Sequence, residues 1–179
     1  MNICVLFSDG VEEIEFITPV DILRRCQQNV VLVSTKNNLN ITGAHGISLL
    51  ADTTISQINH ENFDALIIPG GPSAFSMKDD GSVINLVQQF YQSTKWISAI
   101  CAAPIILHNA GILTDKKYCS HPCVHEQLPS VDTKSRIVVD RPIITAAGPG
   151  VATEFALEII SQLLGEAMAN VQRHNLLLS

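Results

Sequence analysis

The chain has 179 residues and a formal net charge of −6, which excludes the basic surface that nucleic acid or an anionic membrane would require of a partner. Its length predicts one domain over residues 1–179. The five cysteines form an odd, irregular set, so we expect reduced thiols and a cytoplasmic protein. The apolar run over residues 3–7 is too short for a signal peptide or a membrane span.

The first half of the chain alternates short apolar runs with amphipathic segments. Pro19 predicts a short first piece or a kink near Thr18 in the first helix. The predicted elements are a strand over 2–7, a helix up to about 27, a buried strand over 29–35, a small antiparallel excursion at the sheet edge within 36–60, and a strand over 64–71 ending in Gly70-Gly71.

The alternation continues in the second half. Its predicted elements are a helix over 82–94, a strand over 96–100, a helix over 102–110, a strand over 116–121, a hairpin from 136–140 and 142–147, and one long terminal helix that Gly148-Pro149-Gly150 opens. Strands that alternate with helices predict an α/β fold with a mostly parallel sheet, whose ligands bind at the carboxyl ends of the strands.

Cys101 lies where the strand over 96–100 changes into a helix with Pro104 in its first turn. This pattern is typical of a nucleophile elbow, in which the amides of the following helix favour a thiolate. The alternative is a small buried side chain at the end of a core strand. Because these alternatives predict different chemistry, the residues that approach Cys101 decide between them.

Three other segments end at the same predicted edge. Glu15 could remain protonated beside the thiol and act as a general acid or base, or it could only complement a helix N-terminus. Gly70 and Gly71 let the backbone approach a ligand, so their N–H groups and that of Ala102 are candidate oxyanion donors, although a plain tight turn explains the glycines equally well.

His121 follows the Cys101 segment and could transfer a proton, although a lone histidine is more often structural. The surrounding run, residues 119–125, contains two cysteines and two histidines. Its spacing matches no common zinc motif and Pro122 interrupts it, so we expect no metal. Gly148-Pro149-Gly150 is a weak phosphate-binding signal because it lacks a lysine and the full glycine pattern.

Five segments together resemble the ThiJ/PfpI superfamily, in particular the branch of the Parkinsonism-associated deglycase and its bacterial YajL relatives. They are Gly10-Val-Glu-Glu-Ile-Glu15, Leu66-Ile-Ile-Pro-Gly-Gly71, Ala99-Ile-Cys-Ala-Ala-Pro104, Ser120-His-Pro122 and Ala147-Gly-Pro-Gly150. The resemblance implies a flavodoxin-like three-layer sandwich, a reactive Cys101, a protonated Glu15 bonded to its sulfur, donors at Gly71 and Ala102, and a nearby His121. It also implies a homodimer in which Arg25 approaches the partner's site.

The resemblance implies a cofactor-independent glyoxalase or deglycase that acts on methylglyoxal, glyoxal or their adducts with amines and thiols, in protection against carbonyl and oxidative stress. A redox-sensing chaperone with an oxidisable cysteine is the alternative. An intracellular cysteine peptidase is less favoured, because the peptidases of this superfamily have a histidine directly after the cysteine and this chain has Ala102.

Overall fold

The computed structural model describes residues 1–178 and contains one seven-stranded sheet, in the order β5-β2-β1-β6-β7-β9-β8. All its neighbouring strands are parallel except β8 and β9. The strands are β1 Asn2–Phe7, β2 Asn29–Ser34, β5 Thr53–Thr54, β6 Ala65–Ile68, β7 Trp96–Ile100, β8 Ile137–Asp140 and β9 Ile143–Ala146, with β3 Asn40–Thr42 and β4 Ser48–Leu50 in a separate hairpin. The predicted α/β class with a mostly parallel sheet is confirmed.

Helices cover both faces of the sheet: α1 packs on α5, which also packs on α6, on one side, and α2 and α3 pack on α4 on the other. Their bounds are α1 Glu13–Arg25, α2 Ser73–Met77, α3 Gly81–Gln92, α4 Pro104–Asn109, α5 Ala152–Leu164 and α6 Glu166–Asn175. Strands β1, β6 and β7 are buried almost throughout, as strands covered on both faces must be. None of the helices in residues 1–178 is long and apolar enough to cross a bilayer.

The sheet places the ends of three central strands side by side. From β1 the chain adds β2 on one side and then β6 on the other, so the strand order reverses at β1 and β6. Such a reversal opens a crevice at the carboxyl ends of the strands. The loops after β1, β6 and β7 all reach this crevice.

Several predicted elements differ from the structure. The first helix runs unbroken through Pro19, which is buried, so the expected short first piece is wrong: packing of α1 offsets the missing hydrogen bond. The predicted strand over 116–121 is reduced to a single bridge between Cys119 and Asp132, because the N–H groups of Lys117 and Cys119 donate to side chains of the β8–β9 hairpin instead.

The remaining differences concern the two predicted segments at 36–60 and 148 onwards. The antiparallel pair β3–β4 exists, but it forms its own two-stranded sheet over the loop after β1, where the Gly10 N–H donates to the Thr42 carbonyl at 2.8 Å. The true edge strand on that side is β5. The terminal helix divides at Gly165, whose φ of 94° is incompatible with a continuous helix.

Candidate active site

Cys101 occupies a sharp turn between β7 and α4. Its φ is 66°, in the left-handed region that costs a residue with a side chain about 1–2 kcal/mol. Its N–H donates to the Ala146 carbonyl at 2.8 Å, and its carbonyl accepts the His121 N–H at 2.9 Å. Because these two hydrogen bonds fix the Cys101 backbone on both sides, the unfavourable backbone angle is maintained, and 8% of the surface of the residue is exposed.

Glu15 is the third residue of α1, whose first turn brings it to Cys101, and it has no exposed surface. Its Oε2 accepts the Gly70 N–H at 2.8 Å, while Oε1 has no hydrogen-bond partner within residues 1–178. A Cβ atom on Gly70 would lie 2.7 Å from both the Cys101 Cβ and Glu15 Oε2. Only glycine therefore lets the carboxyl and the thiol share this space.

Two backbone amides beside the sulfur belong to Gly71 and Ala102, and hydrogen bonds from them lower the pKa of the thiol. Gly71 has a φ of 86°, and a Cβ there would lie 2.5 Å from the Glu12 nitrogen, so this close approach also requires glycine. The Gly70 N–H is different, because it is already used by Glu15. It positions the carboxyl and is not free for a substrate oxyanion, contrary to the sequence-based expectation.

Burial raises the pKa of Glu15 to about 7, although its hydrogen bonds with Cys101 and Gly70 lower it. The carboxyl is therefore neutral in a large part of the molecules near neutral pH. Such a value suits a group that must both give and accept a proton.

Burial also raises the pKa of Cys101, and the negative charge of an ionised Glu15 raises it further, beyond what the two amides offset. The sequence predicted a lowered pKa from the helix amides alone. In the structure desolvation and the carboxylate dominate, so a thiolate forms only when the thiol proton passes to Glu15 or leaves the pair altogether.

His121 lies next to the elbow, because its backbone N–H donates to the Cys101 carbonyl. Its Nδ1 accepts the Cys123 N–H at 3.2 Å, which leaves Nε2 as the nitrogen that carries a proton in the neutral ring. The ring packs on Gly148, where a Cβ would lie 3.2 Å from the His121 Cδ2. The imidazole therefore presents a donor at the edge of the site.

Arg25 lies far from the Cys101 of its own chain. It is ten residues beyond Glu15 on α1, a separation of about 15 Å along the helix axis. Its guanidinium pairs with Asp21 at 2.8 Å, and both side chains are about half exposed. Within one chain, the structure does not bring Arg25 into the site.

The sequence did not reveal two contributors to the site. Ser73, 1% exposed, donates its hydroxyl to the Gly70 carbonyl at 3.1 Å and so fixes the peptide that holds Glu15. Glu12, Glu13 and His45 have side-chain atoms within 4.8 Å of one another at the loop after β1. In the sequence, the signals that could have indicated these contributors were a serine at the start of a short helix and two consecutive glutamates after the first strand.

The sequence and the fold of this chain are similar to those of known proteins. The family model of the DJ-1/PfpI family matches residues 1–162. The chain is 32% identical over 94% of its length to protein DJ-1 homolog B of Arabidopsis thaliana, but it spans only 39% of that relative. It is 30% identical to a glutathione-independent glyoxalase of Caenorhabditis elegans, covering 93% of this chain and 90% of that protein, and 28% identical to a deglycase of Pyrococcus abyssi, covering 84% and 92%.

Solved structures share the whole fold. The Drosophila melanogaster DJ-1β structure superposes with a TM-score of 0.95 at 31% identity, covering 99% of this chain and 98% of that one. Toxoplasma gondii DJ-1, solved in an oxidized form, gives a TM-score of 0.93 at 32% identity, covering 98% and 97%. Since the family model extends over residues 1–162 of 179 and the folds superpose throughout, this chain belongs to the DJ-1/PfpI family.

Proposed function

We propose that this protein is a cofactor-independent glyoxalase or deglycase, which converts methylglyoxal, glyoxal or their adducts with thiols and amines into hydroxy acids. The observation that carries the proposal is the fully buried Glu15 carboxyl, held by the Gly70 N–H against a cysteine on a strained turn. Relatives named as a glyoxalase and a deglycase support the reaction class.

The reaction begins when the thiol proton passes to the Glu15 carboxylate and the sulfur of Cys101 adds to the aldehyde carbon of methylglyoxal. Glu15 returns this proton to the new alkoxide oxygen, which gives a hemithioacetal. The Gly71 and Ala102 amides lie beside the sulfur, where negative charge develops on that oxygen.

Glu15 then removes the hydrogen from the former aldehyde carbon and delivers it to the neighbouring carbon, through an enediol, while the hydroxyl proton of the hemithioacetal moves to the former ketone oxygen. The aldehyde carbon is oxidised to a thioester and the ketone carbon is reduced to an alcohol, so the substrate is its own oxidant. Water hydrolyses the thioester, lactate leaves, and the Cys101 thiol is restored. No step needs a further redox partner.

Lactate production from methylglyoxal tests this proposal. We expect Cys101→Ser and Glu15→Gln each to lower kcat by at least about 100-fold, because each removes a group that bonds to or transfers protons with the substrate. Cys123→Ser, which alters an exposed thiol, is the matched control and should retain wild-type kcat. Equal rates for the wild type and both site variants would refute the proposal that this site catalyses the reaction.

Oxidation of Cys101 is the second candidate function. The amides of Gly71 and Ala102 that reach the sulfur would also donate to the oxygens of a sulfinate, and a relative has been solved in an oxidized form. After mild peroxide treatment we expect intact-protein mass to rise by two oxygens at Cys101. A redox role would be contradicted if the added oxygen appeared only at the exposed Cys123.

We propose that the protein is a homodimer assembled through α1. Ile14 and Ile17 are 55% and 46% exposed, and helical spacing places them on the same face as Asp21 and Arg25. In an antiparallel pair of α1 helices, the partner's Arg25 would approach the end of α1 that carries Glu15.

All five cysteines are free, which supports a reducing compartment such as the cytoplasm.

A further inference from the structure

A second cleft lies directly beside the Cys101 turn. It has a volume of about 320 Å³ and is lined by His121, Arg136 and residues 147–151; we call it the His121–Arg136 cleft. The Cys101 N–H and carbonyl are bonded to Ala146 and His121, so the two walls of the cleft are attached to the residue that carries the reactive sulfur. The proposed addition of methylglyoxal at Cys101 involves none of the residues that line this cleft.

Arg136 provides the positive charge of the cleft wall. Its guanidinium donates from Nη2 to the Gly150 carbonyl at 3.1 Å, and its backbone carbonyl accepts the Ala147 N–H at 2.9 Å. Within residues 1–178, the contacts of the guanidinium with Gly150 and Glu154 both use Nη2. The Nε and Nη1 hydrogens are thus available for a second, planar carboxylate, while the bond to Gly150 keeps the guanidinium at the cleft wall.

Glu154 is the acidic group that opposes this use. Its carboxylate lies 3.6 Å from Arg136 Nη2, and the two side chains are 47% and 67% exposed. An ion pair this exposed contributes little to stability, so a ligand carboxylate can displace Glu154 from Arg136 or bind the guanidinium beside it.

We propose that the His121–Arg136 cleft binds the carboxylate of adducts between a dicarbonyl compound and a small thiol, with Arg136 as the specificity-determining residue. This inference rests on the proposed function. When such an adduct binds, its acid end extends past His121 to the guanidinium and its former aldehyde carbon lies at Cys101. The Cys101 sulfur bonds to this carbon as the carbon–sulfur bond to the small thiol breaks, and the small thiol leaves with the proton that Cys101 loses, which gives the same hemithioacetal as methylglyoxal itself. The volume of the cleft accommodates the additional atoms that methylglyoxal lacks.

The test compares two substrates that differ only in charge: the methylglyoxal hemithioacetals of N-acetylcysteine and of N-acetylcysteinamide. For the wild type we expect kcat/KM to be about tenfold higher for the acid, the factor that one charge-assisted hydrogen bond of about 1.4 kcal/mol provides. In Arg136→Gln the acid-to-amide ratio should fall to about one, and Arg136→Lys should restore part of it. An unchanged ratio in Arg136→Gln would overturn the proposal.

A second measurement does not depend on turnover. N-acetylserine, which has a hydroxyl in place of the thiol, should slow alkylation of Cys101 by iodoacetamide in the wild type, more than N-acetylserinamide does. Glu154→Gln should strengthen this protection and Arg136→Gln should abolish it. Protection without lactate formation would support the cleft while refuting the glyoxalase, whereas equal protection by acid and amide would refute the cleft.

Discussion

Glu15 and Cys101 share one environment, so the charge of each depends on the proton of the other. The carboxyl is fully buried and has a pKa of about 7, and its ionised form raises the pKa of the thiol. Loss of one proton from the pair leaves the remaining proton either on oxygen or on sulfur. The form with the proton on oxygen is the nucleophile, and the pair titrates as a unit.

This coupling predicts the pH dependence of Cys101 alkylation. As pH rises through about 7 the pair loses its first proton, so the iodoacetamide rate should increase with a midpoint near that value. In Glu15→Gln no carboxylate can accept the thiol proton, and burial keeps the pKa of Cys101 high. The midpoint should therefore move upward.

The measurement is a pH series of alkylation rates in a Cys123→Ser background, which removes the exposed thiol. Mass spectrometry of the modified peptide assigns the reaction to Cys101. A wild-type midpoint about two pH units below 7 would contradict this account. It would show instead that the amides of Gly71 and Ala102 outweigh burial, as the sequence alone had suggested.

At the scale of elements, most of the sheet was predictable because each central strand is an apolar run that a helix follows. Strands β1, β6 and β7 and the β8–β9 hairpin lie where the sequence placed them. Glu15, Gly71, Ala102 and Cys101 meet because the carboxyl ends of parallel strands share an edge. Order and alternation alone were enough to bring these segments together.

The elements that the sequence predicted wrongly depend on hydrogen-bond partners distant in the chain. Segment 116–121 has the residue pattern of a strand, but its N–H groups bond to the side chains of Asp140 and Thr145. The β3–β4 hairpin is held over the site by the Glu13 carboxylate, which accepts both the N–H and the Nδ1 of His45 at 2.8 Å. No local pattern around His45 predicts this contact.

The role of the Gly70 N–H, which holds Glu15 and does not face a substrate, was unpredictable for a similar reason. A Gly-Gly pair after a strand shows that the backbone must approach something, but not which N–H is free. The structure gives the Gly70 N–H to Glu15 and leaves the Gly71 N–H beside the sulfur. Two consecutive residues of one turn therefore have different roles: the Gly70 N–H positions Glu15, and the Gly71 N–H lies where it could bind a substrate oxygen.

At the scale of the whole molecule, the proposed dimer would bring the partner's Arg25 towards the site. Arg25 is about 15 Å from Glu15 along α1 and its pairing with the half-exposed Asp21 contributes little to stability. The exposed Ile14 and Ile17 on the same helix would bury apolar surface if two α1 helices packed together. A two-fold interface of this kind makes the same residues contact each other in both directions.

The dimer is tested first by its mass. We expect size-exclusion chromatography with light scattering to give twice the chain mass for the wild type. Ile17→Glu places a charge on the apolar face and should shift the protein to monomer, because a buried unpaired carboxylate is strongly unfavourable. Val139→Glu, which introduces the same carboxylate in place of a branched aliphatic side chain at a 36% exposed position of β8, is the control and should leave the mass at two chains.

The partner role of Arg25 makes a sharper prediction, which uses two variants that are each inactive. Arg25→Ala retains Cys101, and Cys101→Ser retains Arg25, so a mixed dimer has one site with both the cysteine and the partner's arginine. After the subunits exchange at random, half of the dimers are mixed and each has one of two sites intact, so lactate formation should recover to about a quarter of the wild-type rate. If Arg25 acted within its own chain, or not at the site at all, mixing would give only the average of the two separate rates. Unfolding midpoints equal to the wild type in both variants would show that the recovered activity comes from the assembled site and not from restored folding.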